Sequence, residues 1–389
     1  MPLRPGGTTV GMAVLANGTR ARNDIIRLVH GDLGLHALAG EIFRVLERVI
    51  RFDGTCLLTM DPATMLPTGE VVTNGLERDA LVRLAEIEQR EPDVNKFTAL
   101  ARSGRPAASL SAATGGRLDR SLRQRELRRP QGFDDELRVV CSDETGAWGA
   151  ITLLREAGRP PFTEADVGFV ASIAGIVADG LRHAVFLRDS AGGNFGETGV
   201  LVLGSDNGVE LANRTAEHWL DLLSANDAPG GELPVVVLAV AARTRRLASG
   251  HSCDGFTHRT ESDGAHARVQ VAHGRWVVVR GSLLGEAPSG HVAILLEEAR
   301  PSELAPLIAD AYHLTPQERA VTELAARGSP TNDIAARLHI SAYTVQDHLK
   351  SIFEKTGTTS RGDLVARLFF NHYAPRLSTP AAPGPDGPT

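Results

Sequence analysis

Residues 314–368 read LTPQERAVTELAARGSPTNDIAARLHISAYTVQDHLKSIFEKTGTTSRGDLVARL. Thr315-Pro316-Gln317-Glu318 forms a capping box with proline at the first helical position, so the pattern predicts a helix running through Val321, Leu324 and Ala325 to a stop at Gly328. A short second helix carries Ile334, Ala335 and Leu338. After the turn His339-Ile340-Ser341, Ser341 caps a longer helix, Ala342 to Thr356, which Gly357 closes. Ser360 with Asp363 opens a fourth helix through Leu364, Val365, Leu368 and Phe369. Four short helices, the second and third joined as a helix-turn-helix, form the compact unit that sets one helix into a DNA major groove.

The third helix has two unlike faces. Val345, Leu349, Ile352 and Phe353 recur at i, i+4, i+7 and i+8 and make a buried stripe, while Tyr343, Gln346, Asp347, Lys350 and Glu354 fall opposite. Glutamine can pair bidentately with adenine, aspartate can accept from the cytosine amino group, and lysine reaches guanine or a phosphate. Periodicity alone leaves two readings open, a base-reading face or the solvated face of a small bundle.

The LTPxE opening, the Asp333-Ile334-Ala335 segment, the TVQDHLKSIFEK helix and the closing SRGDLV resemble the DNA-binding domain of LuxR-type (NarL/FixJ-type) transcription regulators over about 60 residues. The resemblance implies a DNA-facing set of Thr344, Val345, Gln346, Asp347, His348 and Lys350, with Tyr343 and Asn332. Gln346, Asp347 and Lys350 would face bases, and Thr344 and His348 would support phosphate contact or local packing. Asn332 stands where the family often carries a phosphate-contacting lysine, a loss that weakens binding and flattens its salt dependence. The fourth helix, with Arg361, Asn371 and His372, resembles the family's dimerisation helix.

Charge sharpens the expectation. Residues 310–373 hold seven basic and seven acidic side chains, and residues 1–309 carry the whole net charge of −6. Net charge therefore draws no part of the chain to nucleic acid or anionic lipid, and a neutral reader needs two half-sites and a dimer. The implied partners are double-stranded DNA and a second copy of the chain, with RNA polymerase and a small-molecule effector of unidentified chemistry as further candidates. No cofactor is identified.

Ahead of this region the chain alternates helix and strand signals. Leu35 to Arg51 has helical spacing. Strands follow at Thr55–Met60, Glu70–Thr73, Glu136–Ser142 and Ala147–Leu154, the last two as a hairpin about DETG. Thr163 caps a long helix whose Val167, Val170, Ala174, Val177, Leu181 and Ala184 suit either packing under a sheet or pairing between protomers. DSAGGNFGETG at 189–199 is a Gly-rich linker. A second block has strands at Val200–Leu203 and Val209–Ala212, a helix from Asn213, another near Val235–Leu247, and strands at Ala267–Ala272, Trp276–Arg280 and His291–Glu297. The first block resembles a GAF domain and the second a PAS domain, families that hold small ligands over a sheet or relay between dimers.

The expected organisation is multidomain: an extension (1–29), a GAF-like α+β sensor domain (30–186), a linker (187–197), a PAS-like α+β domain (198–299), an all-α four-helix helix-turn-helix domain (304–373) and a disordered tail (374–389). At 389 residues, with 42% hydrophobic and 23% charged residues, the chain is globular in composition and long enough for two or three cores. No apolar run approaches 18 residues, and three cysteines without a CxxC pair suit a reducing, cytoplasmic setting with no membrane contact. Cys56 and Cys141 read as core residues. His251, Cys253 and His258 lack a tight ligand pattern, so no metal site is assigned.

The six arginines of 117–129 read as a solvated segment balanced partly by Asp119 and Glu126. No P-loop, HExxH or GxSxG appears, and no receiver-type phosphoacceptor set can be assembled, so neither an enzyme nor phosphorelay control is expected. The alternative function is a small-molecule or redox sensor whose helical end binds a protein partner through Tyr343, Gln346 and Asp347.

Overall fold

The computed structural model describes residues 8–31, 33–77, 79–186, 197–225, 227, 233–250, 264–271, 275–286 and 290–365. The chain forms two compact units, the first containing both sheets and the second the helices after Glu298.

The first unit opens with α1 (Thr8–Val29) and α2 (Leu35–Leu46). Residues 1–29 were expected to be an extension. Instead Ala21, Ile25 and Val29, four apart, bury one stripe of α1. Glycine at position 180 permits that packing, because a Cβ there would lie 2.6 Å from Val29 Cγ1. Five strands follow: β1 (Gly54–Met60), β2 (Pro67–Thr73), β3 (Ala107–Ser109), β4 (Phe133–Asp143) and β5 (Gly146–Glu156). They lie in the order β2-β1-β5-β4-β3, all pairs antiparallel. The β4–β5 hairpin turns at Glu144-Thr145, where Asp143 Oδ1 accepts from the Thr145 N–H at 2.8 Å and hydroxyl at 2.6 Å.

The closing helix α6 (Glu164–Phe186) begins at the expected cap. The Asp166 N–H donates to Thr163 Oγ1 at 3.2 Å, and the Thr163 N–H to Asp166 Oδ2 at 2.8 Å. Its stripe Val170, Ala174, Val177, Leu181 and Ala184 is buried within the chain, so of the two readings of this spacing the structure takes packing beneath its own sheet. Between the second and third strands and beyond lie α3 (Ala80–Arg90), α4 (Phe97–Arg102) and α5 (Leu110–Thr114).

The second sheet repeats the first sheet's order. Its strands β6 (Gly199–Leu203), β7 (Val209–Ala212), β8 (His266–Gln270), β9 (Trp276–Leu284) and β10 (His291–Glu298) lie as β7-β6-β10-β9-β8. Helix α7 (Arg214–Ser224) starts where Asn213 Oδ1 accepts from the Ala216 N–H at 2.8 Å. Helix α8 (Val235–Ala248) is buried all round from Val236 to Arg245, as expected of a helix with protein on every side.

Polar links tie the two sheets together. Asp61, 1% exposed, accepts from Arg268 N, Nε and Nη2 at 2.8, 2.9 and 2.6 Å. Arg243 of α8 donates to Gln89 Oε1 at 2.8 Å and to Thr64 O at 3.2 Å. Leu66 and Leu81 of the first region join the apolar core of the second.

The second unit has α9 (Pro301–Ala311), α10 (Pro316–Ala326), α11 (Thr331–Leu338) and α12 (Ala342–Thr356). The last three match the expected helices, and α9 is an additional one before them. The expected fourth helix opens with the Asp363 N–H on Ser360 Oγ at 3.1 Å. Its Leu368, Phe369, Asn371 and His372 lie outside the described residues, as do the tail, linker residues 187–196 and the His251, Cys253 and His258 group. Among the described residues no helix is long and apolar enough to cross a membrane.

Candidate functional site

The helix-turn-helix is built from caps. Thr315 Oγ1 accepts from the Glu318 N–H at 3.3 Å while Glu318 Oε2 accepts from the Thr315 N–H at 2.7 Å. Between α11 and α12 the backbone at His339 adopts φ +54°, and the Ile340 N–H closes the turn on Ala335 O at 3.1 Å. Ser341 Oγ accepts from the Thr344 N–H at 3.0 Å and shares a 2.8 Å hydrogen bond with the Thr344 hydroxyl. Gly357, at φ +63°, ends α12.

One buried carboxylate locks α12 to α10. Glu318 Oε1 accepts from Ser351 Oγ at 2.7 Å and Oε2 from Lys355 Nζ at 2.6 Å, and Lys355 also donates to His313 O at 3.0 Å. Burial would raise the Glu318 pKa, but the hydrogen bonds from Lys355, Ser351 and the Thr315 amide outweigh it and hold the carboxyl at about 2. The capping box pointed to Glu318 as an end group; its second role needed the i, i+4 pair Ser351 and Lys355 on the inner side of α12.

With α12 held this way, Tyr343, Gln346, Asp347 and Lys350 are exposed, Tyr343 to 73%, and Thr344 and His348 are half-buried. Asn332 is exposed in the first turn of α11. Val345 does not belong with them. It is fully buried with Leu349 and Ile352, so it seats the helix and cannot meet a duplex. Phe353, expected in the same stripe, is only half-buried.

A family profile for bacterial regulatory proteins of the luxR family matches residues 312–368. The spore germination protein GerE of Bacillus subtilis is 38% identical over 55 residues, 14% of this chain and 74% of that protein. The chain belongs to the luxR family of bacterial regulatory proteins. The transcriptional regulatory protein DesR of Bacillus subtilis is 31% identical over 96 residues, 23% of this chain and 48% of DesR. An HTH-type transcriptional regulator of Mycobacterium bovis is 48% identical over 52 residues, 13% of this chain, and this chain spans only 6% of it. Among solved structures, a GAF domain/HD domain protein from Geobacter sulfurreducens aligns with 39% of this luxR-family chain and 95% of its own at a TM-score of 0.29 and 18% identity. The Vibrio cholerae VqmA dimer aligns with 45% and 83% at 0.20 and 14%. Neither score carries weight for the front of the chain.

That front region holds a second candidate site. A cavity of about 80 Å³ lies on the face of the first sheet that carries Cys56 and Leu58, under Leu84 of α3 and Phe97 of α4, with Val235 and Ala239 of α8 closing it. Burial pushes the Cys56 thiol up to about 12, with Glu70 adding to the rise, and burial alone does the same for Cys141. The arginine run also departs from expectation. Arg123 is 0% and Arg128 3% exposed, drawn inside by the buried Glu136. Glu136 and Arg138, two apart on one face of β4, were the signal that could have revealed this, because a charged pair facing inward in an apolar strand requires buried partners.

Proposed function

We propose that this luxR-family protein is a sequence-specific DNA-binding transcription regulator that sets α12 in the major groove and reads bases through Gln346, Asp347 and Lys350. The observation that carries this reading is the division of α12. Its inner side is pinned by Val345, Leu349, Ile352 and the Glu318–Lys355 pair, and its outer side offers an exposed amide, carboxylate and ammonium within two turns. Thr344, His348, Tyr343 and Asn332 flank that face and supply backbone contacts. A zero net charge over residues 310–373 gives one copy little pull on DNA, so the protein acts as a homodimer on two half-sites. The GAF-like and PAS-like regions respond to a small-molecule effector and bias the reader, and the cavity over the first sheet supports that assignment.

The test is a selection from random duplex DNA with the full chain and with a fragment covering residues 298–389, at two salt concentrations. The expected result is a split palindrome enriched by the fragment. Lys350→Ala should lower the salt slope by roughly 1, and Gln346→Ala should relax one base position by about 1–3 kcal/mol. If both folded proteins enrich nothing, the DNA reading fails and a protein partner on Tyr343, Gln346 and Asp347 replaces it.

A further inference from the structure

Arg123, Arg128 and Arg138 bury their guanidiniums around Glu136 of the first sheet, and they are unequally served. Arg123 donates to Asp93 Oδ2 at 2.7 Å, Glu136 Oε2 at 2.9 Å, Val94 O at 3.1 Å and Glu88 Oε1 at 3.3 Å. Arg138 donates to Glu88 Oε1 at 2.6 Å and Asn95 O at 3.0 Å, and its guanidinium lies 3.6 Å over the Phe97 ring. Among the described residues Arg128 meets only Glu136 Oε1, 3.7 Å from its Nη2 and beyond hydrogen-bond range; its Nε finds no acceptor, as is true of Arg138 Nε, but Arg128 has no other side-chain hydrogen bond to compensate and is 3% exposed. Burial depresses the Arg128 pKa, with Glu136 opposing that effect and Arg123 adding to it. A desolvated donor without an acceptor is costly, and buried polar groups are almost always satisfied by something.

Arg128 lines the cavity over the sheet, together with Arg138. It ends a single π-helical turn, Gln124–Arg128, a distortion that tends to sit at functional sites. Most of the remaining wall is apolar: Leu58, Val72, Leu84, Phe97, Val235 and Ala239. A volume of 80 Å³ holds several water-sized groups, the scale of a small organic molecule. The wall has two carboxylates: Glu88 on α3, already held by Arg138 at 2.6 Å and Arg123 at 3.3 Å, and Glu70 on β2, three strands from Arg138 on β4, or about 14 Å at ~4.8 Å per strand. Glu88 is thus engaged by Arg123 and Arg138 and not by Arg128, and Glu70 stands apart from that cluster.

We propose that this cavity binds a small carboxylic acid with an apolar body, its carboxylate taken by Arg128 and its body lying against Leu58, Val72 and α8. The proposal rests on the reading of the front region as a ligand-controlled sensor and adds the chemistry of the ligand. Because Val235 and Ala239 belong to α8, an occupant touches the helix that packs under the second sheet, and binding is transmitted across the first unit.

Calorimetric titration of the full chain at neutral pH with acetate, hexanoate, benzoate and phenylacetate, each paired with its amide, tests this directly. At least one acid should bind about tenfold or more tighter than its amide, the preference expected of charge-assisted hydrogen bonds. Arg128→Met, which keeps the apolar bulk, should abolish that preference and leave amide binding within about twofold. Absent binding of all four acids, equal binding of acids and amides, or a preference retained in Arg128→Met overturns the proposal. The comparison on the unaltered chain decides even if the variant does not fold. The DNA selection is independent of these titrations: acid binding without DNA enrichment sinks the regulator reading alone, and enrichment without acid binding sinks this one alone.

Discussion

The two sheets of the first unit share one strand order and differ in what covers them. Sheet two is closed by an apolar core, with Val269, Val277, Val279, Ile294 and Leu296 all within 1% of full burial. Across sheet one, Cys56, Thr152 and Arg138 line up in register on a face that meets a cavity and a buried charge cluster. Strand order therefore sets the frame and leaves the filling to individual side chains. One frame supports a close-packed core, and the other a buried charge cluster beside a cavity.

The contrast breaks most visibly at Glu136. This carboxylate is 1% exposed; burial would raise its pKa, but Arg123, Arg138 and Arg128 hold it at about 2. Glu136→Ala strands those guanidiniums and should cost about 3–5 kcal/mol in denaturant unfolding, whereas Ile294→Val in the other sheet should cost about 0.5–1.5 kcal/mol. The pH dependence has a defined sign. A folded pKa below the ordinary value means that the contribution is complete above about pH 4.5 and is lost as pH falls toward 2. An acid-unfolding profile unchanged by Glu136→Gln would contradict the assignment.

Volume gives the next contrast. Ala239 and Ala267 both belong to the core of the second sheet, but Ala239 also lines the cavity and Ala267 does not. Ala267→Val should overpack and cost about 1–3 kcal/mol. Ala239→Val fills space and should cost no more than about 0.7 kcal/mol, its loss of helix propensity. Equal costs from denaturation midpoints at constant slope would mean that the cavity is not there in solution.

In the second unit the Glu318–Lys355 pair is worth less than the Glu136 cluster, because Lys355 is a third exposed and screened by solvent. Lys355→Met should cost about 1 kcal/mol and move acid unfolding to higher pH, since the Glu318 carboxyl, held at about 2, loses its main partner. A pH profile identical to the unaltered chain would remove the clamp from the account.

These differences follow what was legible. In 314–365 the caps at Thr315 and Ser341, the stop at Gly357 and the exposed face of α12 all read correctly, because surface helices advertise themselves through periodicity and end chemistry. Nine of the ten described strands and the Asp143–Gly146 hairpin were also readable, being alternating or apolar runs between turn residues, while the three-residue β3 and the short helices α3–α5 around it were missed. What stayed hidden depended on contacts between distant residues: the burial of Arg123 and Arg128, the Asp61–Arg268 link across the sheets, and the stripe of α1, whose first half is interrupted by Gly11 and Gly18. An arginine run looks solvated until the carboxylate that draws it inside is located, and Glu136 lies seven residues beyond the end of the run at Arg129.

The smallest expected stability effect is paired with the largest expected effect on DNA binding. Val345 and Gln346 are neighbours on α12, one fully buried and one exposed. Val345→Ala should lower stability through the cavity it leaves, and should weaken DNA only as far as it loosens the helix. Gln346→Ala touches no packed group, so unfolding should change by less than about 0.5 kcal/mol, while binding to a selected site should weaken by about 1–3 kcal/mol. Measured together by denaturation and by titration on duplex DNA, the two variants separate holding the helix from reading with it. A Gln346→Ala protein of unchanged affinity would move the reading to Asp347 and Lys350, and the same loss of affinity on every sequence would reassign Gln346 to the phosphate backbone.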